Sequence, residues 1–164
     1  MRRIFLTAWT VWLFDFVTKQ WAISALEVEP KQILGSLLQL TLVKNSGAAF
    51  GFATGLTLLF SLLSLAVILT IIYFARAISS HGWQLTAGLL LGGVMGNLAD
   101  RAFREPAFFR GHVIDWIQLP NWPVFNIADS AIVVAAAIAV VLSIKDISPI
   151  EPTNIEKKEN SEEA

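Results

Sequence analysis

Four long apolar stretches separated by shorter polar segments account for most of this chain. They run from Ile4 to Leu26, from Leu56 to Ala75, from Trp83 through Ala99 to Arg101, and from Val124 to Ile144. As helices, each is close to the length that crosses the roughly 30 Å hydrocarbon core of a bilayer. The second carries no charge until Arg76, the third repeats glycine at 88, 92 and 96, and the fourth carries alanine at 128, 131, 135 and 139. Small residues at helical spacing let a neighbouring helix approach closely. The first stretch begins after Arg2 and Arg3 and resembles a secretory leader, but its apolar character resumes beyond Asp15 and Lys19 and no small-x-small cleavage site follows. It is therefore expected to be a retained span with its amino end in the cytoplasm.

The segments between the stretches differ in kind. Leu38-Gln39-Leu40-Thr41-Leu42 alternates with period two, as a half-buried strand does, so a small extramembrane β element is expected over about 30–54. Turn chemistry follows at Asn45-Ser46-Gly47. Residues 102–122, with Pro106, Gly111, Pro120, Phe108, Phe109, Trp116 and Trp122, read as a loop anchored at the membrane interface. Residues 146–164 are acidic and nearly devoid of large apolar groups, the composition of a disordered tail. The domain expected is one four-helix unit over 1–145.

Composition agrees with this pattern. Of the 164 residues 55% are hydrophobic and 15% charged, and the mean hydropathy is +0.61, values foreign to an ordinary soluble domain. The net charge of −1 offers no basic field for nucleic acid. With no cysteine, a disulfide framework, a thiolate metal site and a cysteine nucleophile are all excluded.

The charges that remain are unevenly placed. Seven of the 25 Asp, Glu, Lys and Arg residues fall between Gly92 and Ser130, bracketed by apolar stretches. Asp115 sits in the apolar run Val113-Ile114-Asp115-Trp116-Ile117, and Asp129 lies in the first turns of the fourth stretch. Two carboxylates brought together share a proton, so one can activate water while the other polarises a carbonyl. Alone, Asp129 would only complement a helix amino end. Asp15 and Lys19, four apart on one helical face, are expected to pair, either as a lock between helices or as a buttress beneath a site. Asn97, Asp100 and Arg101 gather at one end of the third stretch. A Ser46–Lys44 dyad lacks a base geometry and ranks below the acids. A proton-coupled carrier also uses intramembrane charge, but these acids cluster at one end and no internal repeat is visible.

Five blocks of this sequence occur in an order and spacing that resemble bacterial lipoprotein signal peptidase (signal peptidase II). They are Asp15-x-x-Thr18-Lys19; Asn45-x-Gly47-Ala48-Ala49-Phe50-Gly51; Gly92-Gly93-x-x-Gly96-Asn97-x-x-Asp100-Arg101; Gly111-x-Val113-x-Asp115; and Phe125-Asn126-x-Ala128-Asp129-Ser130. The resemblance covers about Asp15 to Lys145, with Trp116 where phenylalanine is commoner. It implies an all-α membrane protein of four transmembrane helices with a small extramembrane β element, a β-cradle, on the periplasmic side. The activity implied is that of an intramembrane aspartic endopeptidase, without a cofactor. Such an enzyme removes the signal peptide from diacylglyceryl-modified prolipoproteins by cutting before the lipidated cysteine. By position, Asp115 and Asp129 would be catalytic. Asn45, Gly47, Asn97, Arg101 and Asn126 would hold substrate or the acids, with Asp15, Lys19 and Asp100 in support. The partners implied are prolipoproteins, membrane lipid and the inhibitor globomycin. A monomer in the bacterial cytoplasmic (inner) membrane is expected, with both termini cytoplasmic and the site toward the periplasm.

Overall fold

In a computed structural model, residues 1–47 and 56–150 are described. Among them the chain forms four helices and one small sheet. Helix α1 spans Arg2–Ala25, α2 Thr57–Phe74, α3 His81–Phe103 and α4 Ile127–Ile144; strands are β1 Lys31–Gln32, β2 Gln39–Asn45 and β3 Val113–Gln118. Part of the turn motif, Ala48 to Gly51, and residues 151–164 of the expected tail lie outside the described residues.

Helix α3 is the centre of the bundle and packs against α1, α4 and α2. Its glycines make that possible. A Cβ on Gly92 would stand 2.6 Å from the Ala8 carbonyl oxygen of α1, and one on Gly93 would stand 2.5 Å from the Ala128 oxygen of α4. The two adjacent stripes on α3 thus receive two different helices at near-backbone contact. The apolar core is correspondingly thin, being built from Ile4, Ala8, Ala75, Ala87 and Leu91.

Burial is inverted relative to a water-soluble bundle. Trp9, Leu69 and Val133 are 57%, 58% and 64% exposed, whereas Asp15 and Lys19 are each 1% exposed. Large apolar side chains directed outward and charges directed inward are the arrangement that a lipid solvent favours. Helices α2 and α4 are long and apolar enough to cross a membrane.

The sheet is antiparallel in the order β1-β2-β3. Strand β3 falls within the stretch that composition reads as an interface loop, so the β element is larger than the alternation in 38–42 indicates. Asn45 pairs with Val113 and Val43 with Asp115, with a register shift between Leu40 and Val43. Beyond β3 the chain reverses: Ile117 and Phe125 exchange backbone bonds of 2.9 and 3.0 Å across a turn containing Pro120 and Pro123. That reversal delivers Asn126 to the start of α4. Residues 146–150 lie against the α2–α3 connection, where Ser79 N–H donates to the Pro149 oxygen and Trp83 Nε1 to the Ile147 oxygen.

Candidate active site

Asp115 and Asp129 line one cavity of about 490 Å³, between Val43, Asn45 and Ser46 of the β2 end and the Trp122–Phe125 segment. This volume lies within the range of small-ligand clefts. Each acid is placed by a different local device.

Asp115 occupies the middle of β3 and is 1% exposed. Its Oδ1 accepts a 2.6 Å hydrogen bond from Asn126 Nδ2, and its Oδ2 accepts a 2.8 Å bond from Asn45 Nδ2. The register of β2 against β3 is what brings Asn45 to it across 70 residues of sequence. Gly47, at φ +111°, turns the chain so that its N–H caps Asn45 Oδ1 at 2.8 Å. This left-handed conformation is one that glycine adopts freely. With Oδ1 so engaged, the Asn45 amide presents its NH₂ to the acid.

Asp129 is the third residue of α4, where it forms a capping box with Asn126. Its Oδ2 accepts from the Asn126 backbone N–H at 3.2 Å, while Asn126 Oδ1 accepts from the Asp129 N–H at 2.8 Å. Its Oδ1 accepts from Asn97 Nδ2 at 2.7 Å. Asn126 is therefore shared: it caps α4, holds Asp115, and donates to Asn97 Oδ1 and the Ile114 oxygen at 3.2 Å each.

Below the amides lies the ionic cluster. Lys19 Nζ is 2.7 Å from Asp15 Oδ2, 2.8 Å from Asp100 Oδ2 and 3.0 Å from Asn97 Oδ1. Asp100 also binds Arg104, a partner that sequence reading passed over although its i,i+4 spacing is visible there. Arg101 sits with its guanidinium carbon 5.6 Å from the Phe60 ring centroid, in electrostatic reach of Asp129. Its buried Nε has no hydrogen-bond partner among the described residues. Lys44 and Ser46, the lower-ranked dyad, also line the cavity, as does Phe125. Every residue named from the sequence as a site candidate thus falls within one connected cluster.

Burial pushes the Asp115 carboxyl up to about 7, and the neighbouring charge of Asp129 adds to this; the Asn45 and Asn126 amides oppose it by bonding to the ionised form. Near neutral pH an acid so placed is divided between its protonated and ionised forms. It can then give or take a proton as chemistry requires.

Comparison with known proteins agrees with the geometry. The family described as signal peptidase (SPase) II matches residues 7–145. The lipoprotein signal peptidase of Rhodococcus jostii (strain RHA1) is 42% identical over 147 residues, covering 89% of this chain and 74% of the relative. That of Mycobacterium avium (strain 104) is 44% identical over 145 residues, covering 88% and 80%. A solved bacterial membrane enzyme structure superposes with a TM-score of 0.79 at 25% identity, covering 94% of each chain. A second superposes at 0.77 with 26% identity, covering 89% of this chain and 95% of that one. This chain belongs to the signal peptidase II family, the lipoprotein signal peptidases, membrane-protein hydrolases that remove signal peptides from prolipoproteins.

Proposed function

We propose that this chain is an aspartic endopeptidase in which Asp115 and Asp129 activate water directly. Its substrate is a diacylglyceryl-modified prolipoprotein, cut immediately before the lipidated cysteine. The observation that carries this reading is the shared cavity. Two carboxylates from different elements line it, are tied together through Asn126 and Asn97, and include one acid that titrates near neutrality.

In the reaction, the scissile carbonyl lies between the acids. Asp129 takes a proton from water as the water oxygen bonds to the carbonyl carbon, and protonated Asp115 donates to the carbonyl oxygen. Collapse of the tetrahedral species breaks the C–N bond: the proton held by Asp129 passes to the leaving nitrogen, while one hydroxyl of the species returns its proton to Asp115 as the new carboxyl C=O forms, which restores both acids. Arg101, in electrostatic reach of Asp129 and Asp115, would help to hold the acids in place.

The four helices cross the bacterial cytoplasmic (inner) membrane, with Arg2 and Arg3 and both termini in the cytoplasm, and the sheet and cavity at the periplasmic interface. A lipid anchor holds its cleavage site at that depth, where water is present and the dielectric is low. A monomer already supplies both acids, membrane lipid surrounds it, and globomycin would compete for the same cavity.

The test uses purified protein and a synthetic diacylglyceryl-modified prolipoprotein, with products read by mass spectrometry. The expected product begins with the lipidated cysteine, and Asp115→Asn and Asp129→Asn each lose roughly 1,000-fold or more in rate. Cleavage elsewhere, or an Asp→Asn variant at full speed, would refute the reading.

A further inference from the structure

The residues immediately before the two acids are each held by a second carboxylate. Ile114, preceding Asp115, donates its backbone N–H to Asp100 Oδ2 at 3.1 Å. Ala128, preceding Asp129, donates its backbone N–H to Asp15 Oδ1 at 2.9 Å. Asp15 reaches this position because Gly96 leaves the space: a Cβ there would stand 2.5 Å from Asp15 Oδ2 and 3.2 Å from Ala128 Cβ. One group joins the two holding carboxylates, since Lys19 Nζ lies 2.7 Å from Asp15 Oδ2 and 2.8 Å from Asp100 Oδ2. The backbone carrying Asp115 and the backbone carrying Asp129 are thus clamped to a single ammonium.

The third contact of that ammonium leads into the cavity. Lys19 Nζ donates to Asn97 Oδ1 at 3.0 Å, and Asn97 Nδ2 donates to Asp129 Oδ1 at 2.7 Å. An ammonium carries donors only, so it dictates which end of the amide faces it. A flipped Asn97 would set NH₂ against NH₃⁺ and its carbonyl oxygen against the Asp129 carboxylate, two repulsive contacts. Stability alone does not account for a lysine at this place. Replacing a buried ion pair by apolar groups of similar volume is often neutral or stabilising, and Lys19 is 1% exposed.

We infer that Lys19 is the positioning residue of the acid pair, setting the separation of Asp115 and Asp129 and the orientation of Asn97 toward Asp129. The inference rests on the aspartic reading above. It assigns Lys19 no contact with substrate; its effect on the rate passes through the geometry of the acids, where misplacement by about 1 Å costs on the order of 100-fold.

Two variants test this in the full-length purified chain. Lys19→Met removes the ammonium but leaves two carboxylates without it. Lys19→Met/Asp15→Asn removes both charges of the innermost pair, and the asparagine amide oxygen still accepts from Ala128, so folding is protected. Rates on the lipid-modified prolipoprotein are normalised to folded protein from thermal unfolding. The double variant is expected to unfold within a few degrees of wild type, to lose roughly 10- to 100-fold in kcat, and to hold KM within about threefold. A kcat per folded molecule equal to wild type, or a loss carried by KM alone, overturns the inference. Should neither Lys19 variant fold, Asn97→Asp retains an oxygen for the ammonium while removing the donor to Asp129. The same kcat loss is expected there, and a wild-type kcat overturns the inference. Asp129→Asn, run alongside, separates the two proposals. Full activity in Asp129→Asn removes the acid pair and this inference with it, whereas an inactive Asp129→Asn beside unimpaired Lys19 variants removes this inference alone.

Discussion

Replacing Asp115 by Asn should make the protein's resistance to unfolding improve relative to wild type as pH rises through neutrality, even as it destroys activity. The folded-state carboxyl titrates at about 7 against an ordinary value of 3.8. A raised value means that the folded chain holds the proton more tightly than the unfolded chain does. Its contribution to stability is therefore complete below about pH 4 and is lost as pH rises through 7. Carried to pH 8, the loss is ~4 kcal/mol, of which roughly 3 kcal/mol accumulates between pH 5 and pH 8. Asparagine has the same shape and cannot ionise, so it escapes that loss. Its NH₂ group, set against the NH₂ of either Asn45 or Asn126 while its oxygen still accepts from the other, costs the same at both pH values and cancels in the comparison. Thermal unfolding of both proteins in one detergent at pH 5 and pH 8 gives the difference of differences. The Asp115→Asn midpoint should gain roughly 6 to 12 °C on wild type between the two conditions. Equal gaps at pH 5 and pH 8, or a gap of opposite sign, would refute the burial argument.

Three further outcomes follow from the packing and the cap. Gly93→Leu forces a side chain into a space where even a Cβ would meet the Ala128 oxygen at 2.5 Å; it should lower stability by about 1–3 kcal/mol or prevent folding, seen as a lower midpoint or loss of the monodisperse peak. Asn126→Ala removes the α4 cap, worth about 1 kcal/mol. It also removes the 2.6 Å donor to Asp115, so its rate of prolipoprotein cleavage should fall far more than its unfolding midpoint does. A reporter inserted between residues 106 and 110 should respond as periplasmic, and a cytoplasmic response would reverse the orientation proposed.

The helices were legible because length and hydropathy are local properties: the apolar stretches contain α1 to α4 within a few residues of the observed ends. The Asp15–Lys19 pair was legible for the same reason, since i,i+4 spacing on a helix needs no knowledge of the fold. Strand β2 showed itself through the alternation in 38–42. Strand β3 did not, because Val113, Ile114 and Asp115 are all buried and a strand covered on both faces has no period-two signal. Its pairing with β2 is also long-range, so nothing near Asp115 announces Asn45 as its donor. For the cluster as a whole, composition and spacing identified two acids with polar residues near one end of the bundle. The resemblance to a family named which amides belong with them. How these connect, through a capping box, two amides and one ammonium, depends on distances across three helices and a sheet, and no sequence interval encodes those distances.

The claim that joins these observations is that Asp115 and Asp129 work as a pair sharing one proton. The dependence of kcat/KM on pH for the wild-type chain, measured on a lipid-modified prolipoprotein, tests it most directly because that ratio reports the free enzyme. A bell-shaped profile is expected, with its alkaline limb falling near pH 7 as Asp115 loses its proton. A rate that continued to rise to pH 9 would contradict it.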